Sequence, residues 1–210
     1  FRRVLFRSAD ARNYSLTNST GSTTADISAR LLSFSVGAAD KVYDGNNTAS
    51  ATFADNRVTG DVLTVGGSAT FADKNAGGQV VTVTGIGATG ADAGNYTMMA
   101  TSATTVATIT PRALNASATG INKVYDGALA ATVTLGDDRI TGDSLSLSSA
   151  SAAFGDKQVG TAKGVTVSGI VLSGLDAGNY TLASTAATTS ADITARTLHA
   201  SASGPNKVYD

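Results

Sequence analysis

Sixteen acidic side chains are available to this chain and every one is aspartate; glutamate, cysteine and tryptophan are absent, and the single histidine is His199. That inventory narrows the chemistry. It leaves no Ser-His-Asp or Cys-His pair to build twice, no thiolate to hold a metal and no reactive thiol. Two acid-centred possibilities remain. Asp137-Asp138 and Asp55-Asn56 are the best clusters for calcium, but no Asp-x-Asp-x-Asp loop is present and turn formation accounts for them. A spontaneous Lys–Asn isopeptide bond would suit a Cys-free chain under tension, and would need a buried Lys, an Asn and an acid. His199 aligns with Asn115 in the internal repeat described next, so it is not a repeated ligand. No cofactor, metal or catalytic residue is expected.

Recurring strings of Lys, Tyr, Asp and Gly carry more information. Lys-Val-Tyr-Asp begins at Lys41, Lys123 and Lys207, 82 and 84 residues apart. Asn13-Tyr14, Asn95-Tyr96 and Asn179-Tyr180 keep those spacings, as do Ile27, Ile109 and Ile193. Gly60-Asp61 aligns with Gly142-Asp143, Phe71 with Phe154 and Val81 with Val165, the drift from 82 to 84 reflecting single-residue insertions in turns. Two complete repeats follow, residues 31–112 and 113–196. Residues 9–30 match the closing third of a preceding repeat and residues 197–210 the opening of a following one, as expected of a window on a longer tandem array. A period above 80 suits a small self-standing domain better than a solenoid unit. Residues 1–8, rich in Arg and Phe, resemble a translated sequencing adapter and are excluded from fold reasoning.

The elements that must position these strings are strands. Ala, Thr, Ser and Gly make up 111 of 210 residues, whereas Leu, Ile, Val and Phe number 44. A formal net charge of −1, or −4 without residues 1–8, is too small to hold the chain open, so thin-cored folded units are expected. Missing Glu and abundant Thr, Asp and Gly favour strands and turns over helices. Apolar residues alternate with hydroxyls in Val62–Val65, Val81–Thr84, Thr132–Leu135, Ser144–Leu147 and Val165–Ser168, bounded by Asp-Gly and Gly-Gly turn signals. About seven strands per repeat suit an all-β fold of tandem small antiparallel β-sandwich, immunoglobulin-like, repeats; a β-grasp-like sheet is the alternative.

Within that frame, Lys41, Tyr43, Asp44 and Gly45, repeated as Lys123, Tyr125, Asp126 and Gly127, read as the end of the first strand and a tight turn. Gly there takes a positive φ and Asp bonds the turn backbone. Alternation places Val42 opposite Tyr43, whose ring the thin core needs; an exposed aromatic platform for sugars is the competing reading. Asp92, Gly94 and Tyr96, with Asp176, Gly178 and Tyr180, resemble a tyrosine corner, the hydroxyl bonding backbone just upstream. Ile109-Thr110-Pro111-Arg112 leaves almost no linker, so neighbouring repeats should be held in one orientation as a semi-rigid rod.

As an ordered set, Lys-Val-Tyr-Asp-Gly, Phe71–Lys74 with Phe154–Lys157, the Asp-Ala-Gly-Asn-Tyr pair and Ile109–Arg112 resemble the YDG-type repeats of large bacterial surface and secreted proteins, including filamentous-haemagglutinin-like adhesins. Ala29 and Ala195 depart from that pattern where Pro111 fits it. The resemblance implies an extracellular or outer-membrane-associated exoprotein, often exported by a two-partner system, whose repeats form a stalk. The expected function is a non-catalytic spacer whose partners are neighbouring repeats. The alternative is that the repeats themselves bind host-cell or matrix glycans or proteins through exposed Tyr and polar residues. Mild acidity argues against nucleic acid, and no apolar run is long enough to insert in a membrane.

Overall fold

A computed structural model describes residues 11–15, 17 and 20–209. The adapter-like residues 1–8 lie outside the described residues. The first repeat contains β1 (Arg30–Leu32), β2 (Phe34–Ala38), β3 (Lys41–Val42), β4 (Thr48–Ala49), β5 (Ala51–Asp55), β6 (Thr64–Phe71), β7 (Gly77–Thr89), β8 (Tyr96–Met98) and β9 (Ser102–Thr110). The second contains β10 (Arg112–Leu114), β11 (Ala116–Ile121), β12 (Lys123–Val124), β13 (Thr132–Asp137), β14 (Ser146–Ser148), β15 (Ser151–Phe154), β16 (Gly160–Ser168), β17 (Val171–Ser173), β18 (Tyr180–Leu182) and β19 (Ala186–Thr194). The expected seven strands thus become nine and ten segments. In the second repeat the counterparts of β6 and β7 are each interrupted, giving β14 with β15 and β16 with β17.

The main sheet of the first repeat runs β3-β9-β7-β6-β4, and the antiparallel two-stranded sheet of β2 and β5 packs on it. Register explains how so little bulk makes a core. Phe71, Val81 and Thr105 lie side by side across β6, β7 and β9, as do Ala69, Val83 and Ala103. Phe34 of β2 and Phe53 of β5, edge to face at 6.4 Å, supply volume that Ala69 and Ala103 do not. On the outer face the same strands align exposed Thr70, Thr82 and Thr104, a row of β-branched hydroxyls suited to a wet pleated surface. The second repeat repeats the scheme around Phe154, Val165, Val167, Ile170 and Ile193.

The fold is all-β, and its helical turns among the described residues are single 3-10 turns such as Ala93–Asn95 and Ala177–Asn179. It is not wholly antiparallel, however. β1 pairs in parallel with β8 and β3 with β9, and the second repeat has the same parallel pairs, β10 with β18 and β12 with β19. More than 60 residues separate the partners of each pair, ample chain for a parallel crossover. Nor is Lys-Val the end of the first strand. After β2 the chain crosses at Ala39-Asp40, where the Asp40 carboxylate accepts the Thr108 N–H at 2.6 Å, and re-enters the main sheet as the separate edge strand β3.

Pro111 alone separates β9 from β10. One hydrophobic cluster continues through this junction, from Leu32, Phe71, Val81 and Ile109 to Leu114 and Tyr180, with Ile140, Leu145 and Leu182 packed against it. The flanking pieces behave otherwise: residues 20–29 and 197–209 form no strand. Ile27 is fully exposed where Ile109 and Ile193 are buried, since the strands that cover those two have no counterpart beside it. Removing Phe71, 2% exposed, should cost about 3–5 kcal/mol as Phe71→Ala by transfer and cavity terms, whereas Val106→Ala on the outer face should change stability by less than about 0.5 kcal/mol. Urea unfolding of the two variants measures the contrast.

Candidate functional site at the repeat junction

The Lys-Val-Tyr-Asp-Gly strings are assembled by β3 and β12 and the turn after each. Lys41 and Tyr43 share the inward side while Val42 faces solvent. Lys41 Nζ donates to Asp44 Oδ1 at 2.7 Å and to the Asn46 carbonyl at 2.8 Å, and lies 5.6 Å from the centre of the Phe71 ring. Asp44 Oδ1 also accepts the Asn46 N–H at 3.1 Å, closing an Asx turn, and Gly45 takes φ +80°. The second repeat copies this with Lys123, Asp126, the Ala128 N–H, the Phe154 ring and Gly127 at φ +80°. The turn expected from sequence is therefore present in both copies.

Asn46 Oδ1 is a further acceptor for Lys41, at 3.0 Å, so Lys, Asn and Asp do meet here. Burial pushes the Asp44 carboxyl up, but the hydrogen bonds from Lys41 and the Asn46 backbone outweigh it and hold it below the usual carboxylate range. Asp44 and Asn46 are exposed and Lys41 is only half-buried, whereas the isopeptide bond would need the three groups enclosed. The trio is an ionic clasp of the turn, and Ala128 stands at the Asn46 position in the second copy.

Tyr43 is 1% exposed, so its ring presents no platform to a sugar. Its hydroxyl reaches across into the second repeat, 2.9 and 3.1 Å from the two carboxylate oxygens of Asp143. Tyr180 donates to Asp143 Oδ2 at 2.6 Å, and its ring meets that of Tyr43 edge to face at 5.4 Å. Lys74 of the first repeat adds its Nζ at 3.0 Å from Asp143 Oδ1 and 3.6 Å from Asp176 Oδ1, and lies 5.9 Å from the centre of the Tyr43 ring. Beside this cluster the buried Asn179 accepts the Ala76 N–H at 2.8 Å and donates to Asn75 Oδ1 at 3.1 Å. Ile140 closes the contact over Gly45, where a Cβ would lie 3.1 Å from its Cγ2.

Burial pushes the Asp143 carboxyl up, but hydrogen bonds from Tyr180, Lys74 and Tyr43 outweigh it and leave the carboxyl below the ordinary range. The same contacts act oppositely on the phenols. Burial and the Asp143 carboxylate push Tyr180 up to about 12, and burial also raises Tyr43. A buried carboxylate with two phenol donors and an ammonium has its acceptors satisfied, which is the condition for a buried charge to be tolerated.

The tyrosine-corner expectation needs correction. Tyr180 and Tyr96 do bond backbone, accepting the N–H groups of Ile140 at 3.0 Å and Val58 at 2.8 Å, but these lie 40 and 38 residues upstream. The hydroxyls also donate to Asp143 and Asp61, tying the start of β8 or β18 and the turn before it to the loop before β6 or β14. Asp92 and Asp176 support that loop by accepting the N–H groups of Val62 and Ser144. Gly90 and Gly174, at φ +127° and +123°, allow the approach: a Cβ there would stand 2.6 Å from the Val62 carbonyl oxygen or 2.3 Å from that of Ser144. Gly94 and Gly178 sit in the 3-10 turns with open space around them.

Four residues of this cluster were not legible as site residues: Lys74, Asn75, Asp143 and Asn179. The available signal was that Gly60-Asp61 and Gly142-Asp143 recur in step with the Asn-Tyr strings. The calcium candidates are otherwise engaged. Arg57 clamps Asp55, Arg139 clamps Asp137, Asp138 takes both the backbone and side-chain N–H of Asn115, and Asn56 accepts the Ser33 N–H. Among the described residues no group of three His, Cys, Asp or Glu is arranged to hold a metal. His199 is exposed.

The YDG domain family model matches residues 28–105 and again residues 110–190, so the chain belongs to that family as two tandem copies. No curated protein matches the sequence.

Asp143→Ala should cost about 2–4 kcal/mol, since it strands two buried phenols and removes the counter-charge of Lys74, whereas Asp61→Ala at the half-buried equivalent should cost clearly less. Thermal unfolding of both variants checks the order. The pH profile follows from the directions of the shifts. Asp143 stabilises fully above the unfolded carboxyl value of about 4 and loses its contribution as pH falls through the lower folded value. Tyr180 contributes fully below about pH 10, its unfolded value, and loses the contribution as pH rises through about 12. Asp143→Asn should flatten the acid limb relative to the parent chain.

Proposed function

We propose that this member of the YDG domain family is a non-catalytic spacer, a run of stalk repeats in a bacterial cell-surface or secreted adhesin. The observation that carries the reading is the buried Tyr43–Asp143–Tyr180–Lys74 cluster, which spends the most specific polar residues of both repeats on holding one repeat against the next. A single-residue connection and a shared hydrophobic cluster add to it, since a hinge between the repeats would have to expose both. Such a joint suits a part that transmits load or sets distance. The repeated aromatics Tyr43 and Tyr180 are buried there, which leaves a glycan-binding face little to use in the first repeat.

The surface location rests on the same family context. Among the described residues no helix is long and apolar enough to cross a membrane. Backbone 15N relaxation should give both repeats a common tumbling time, and Asp143→Ala should let the two values diverge. Saturable binding of the intact chain on a glycan array, lost in Tyr125→Ala, would instead favour repeats that bind ligand themselves.

A further inference from the structure

We propose that the parallel pairs β3/β9 and β12/β19 are mechanical clamps: when the chain is drawn by its two ends, each repeat meets the load in shear across its clamp, and the strands enclosed by the clamp stay unloaded. The inference deepens the spacer reading, since load is what a stalk carries, but its test measures resistance to force alone, whatever the repeats bind.

The direction of a strand pair decides how a pull on the chain ends reaches it. The earlier strand is drawn toward its N-terminal end and the later strand toward its C-terminal end. In an antiparallel pair those two ends lie together, so the ladder opens one bond at a time. In a parallel pair they lie at opposite ends, so the strands must slide and the bonds share the load. Among the described residues the parallel pairs are β1/β8 and β3/β9, with β10/β18 and β12/β19; the other pairs are antiparallel. Lys41 and Val42 lie beside Ile109 and Thr110, so a load that crosses there bypasses the chain from Asp44 to Thr108.

Strands of two residues would hold little on backbone bonds alone, and side chains reinforce both copies at the same places. The Tyr43 N–H donates to the Thr110 carbonyl at 2.9 Å, the Thr110 hydroxyl to the Lys41 carbonyl at 3.2 Å, and the Thr108 N–H to the Asp40 carboxylate at 2.6 Å. In the second repeat Tyr125, Thr194 and Lys123 make the same two bonds at 2.8 and 3.3 Å. Asn122 takes the place of Asp40, accepting the Asp192 N–H at 2.7 Å and donating to the Asp192 carboxylate at 3.3 Å. The staple is kept while its chemistry changes from carboxylate to amide. Ile109 and Ile193, beside Lys41 and Lys123, are buried and anchor β9 and β19 in the core, so the later strand of each pair does not yield with the earlier one.

Single-molecule pulling on the full chain tests it, because forced unfolding is governed by the unfolding rate and not by equilibrium stability. The chain has no cysteine of its own, so handles can be attached either at the two termini or at Thr64→Cys and Thr89→Cys, exposed partners at the open end of the antiparallel pair β6/β7. Rupture through the termini should need clearly more force than opening through positions 64 and 89. Asp40→Ala with Asn122→Ala, both exposed side chains, should speed unfolding through the termini by about three- to tenfold, the effect of one lost hydrogen bond, and leave opening through 64 and 89 unchanged. Rupture at no higher force through the termini, or a double variant indistinguishable from the parent along that axis, would overturn the proposal. So would a double variant weakened equally along both axes, the mark of a general loss of stability. A glycan-binding chain could pass this test and a spacer could fail it, so the two readings fail separately.

Discussion

A carboxylate taken out of water must be given its hydrogen bonds by the protein, and Asp143 draws them from two repeats at once. Tyr180 comes from its own unit; Tyr43 and Lys74 come from the neighbour. If the repeats separate, the phenol of Tyr43 and the ammonium of Lys74 lose their acceptor, and Leu114 and Ile140 lose apolar cover. The polar cluster fixes the register of the contact and the hydrophobic cluster around it gives the driving force. Relative orientation is therefore specified by chemistry and not merely by a short connection.

That arrangement also accounts for an economical core. A sandwich whose inner rows include Ala69, Ala88 and Ala103 buries little area per unit, and area is what drives folding. Sharing Tyr43, Tyr180 and Leu114 across the junction extends the core of one repeat into the next. The outer rows of Thr need no such support, because their hydroxyls stay wet while their β-branched carbons favour the extended backbone.

Much of this was legible from the residues. Alternation puts Val42 and Tyr43 on opposite faces, a thin core's need for a large ring puts Tyr43 inside, and the Asp-Gly pairs mark the turns at Gly45 and Gly127. The strand class followed from Thr, Val and Asp usage. What alternation cannot supply is the identity or direction of a neighbouring strand, so the parallel pairs β1/β8 and β3/β9 were missed. Nor does a repeat period reveal which faces touch. Asp143 was visible as a landmark in step with Asp61, yet its role depends on Tyr43, 100 residues earlier, and on Lys74. A short motif suggests a local backbone partner for Tyr96 and Tyr180, whereas the actual donors come from a loop 38 and 40 residues earlier in the chain.

The central claim is that Tyr43 and Asp143 couple the stability of two repeats. A double-mutant cycle with Tyr43→Phe and Asp143→Asn, read by equilibrium urea unfolding, measures that coupling with little loss of volume. A coupling energy of about 1–2 kcal/mol is expected for a buried hydrogen bond to a charged acceptor. Additivity of the two substitutions, within about 0.3 kcal/mol, would contradict the account.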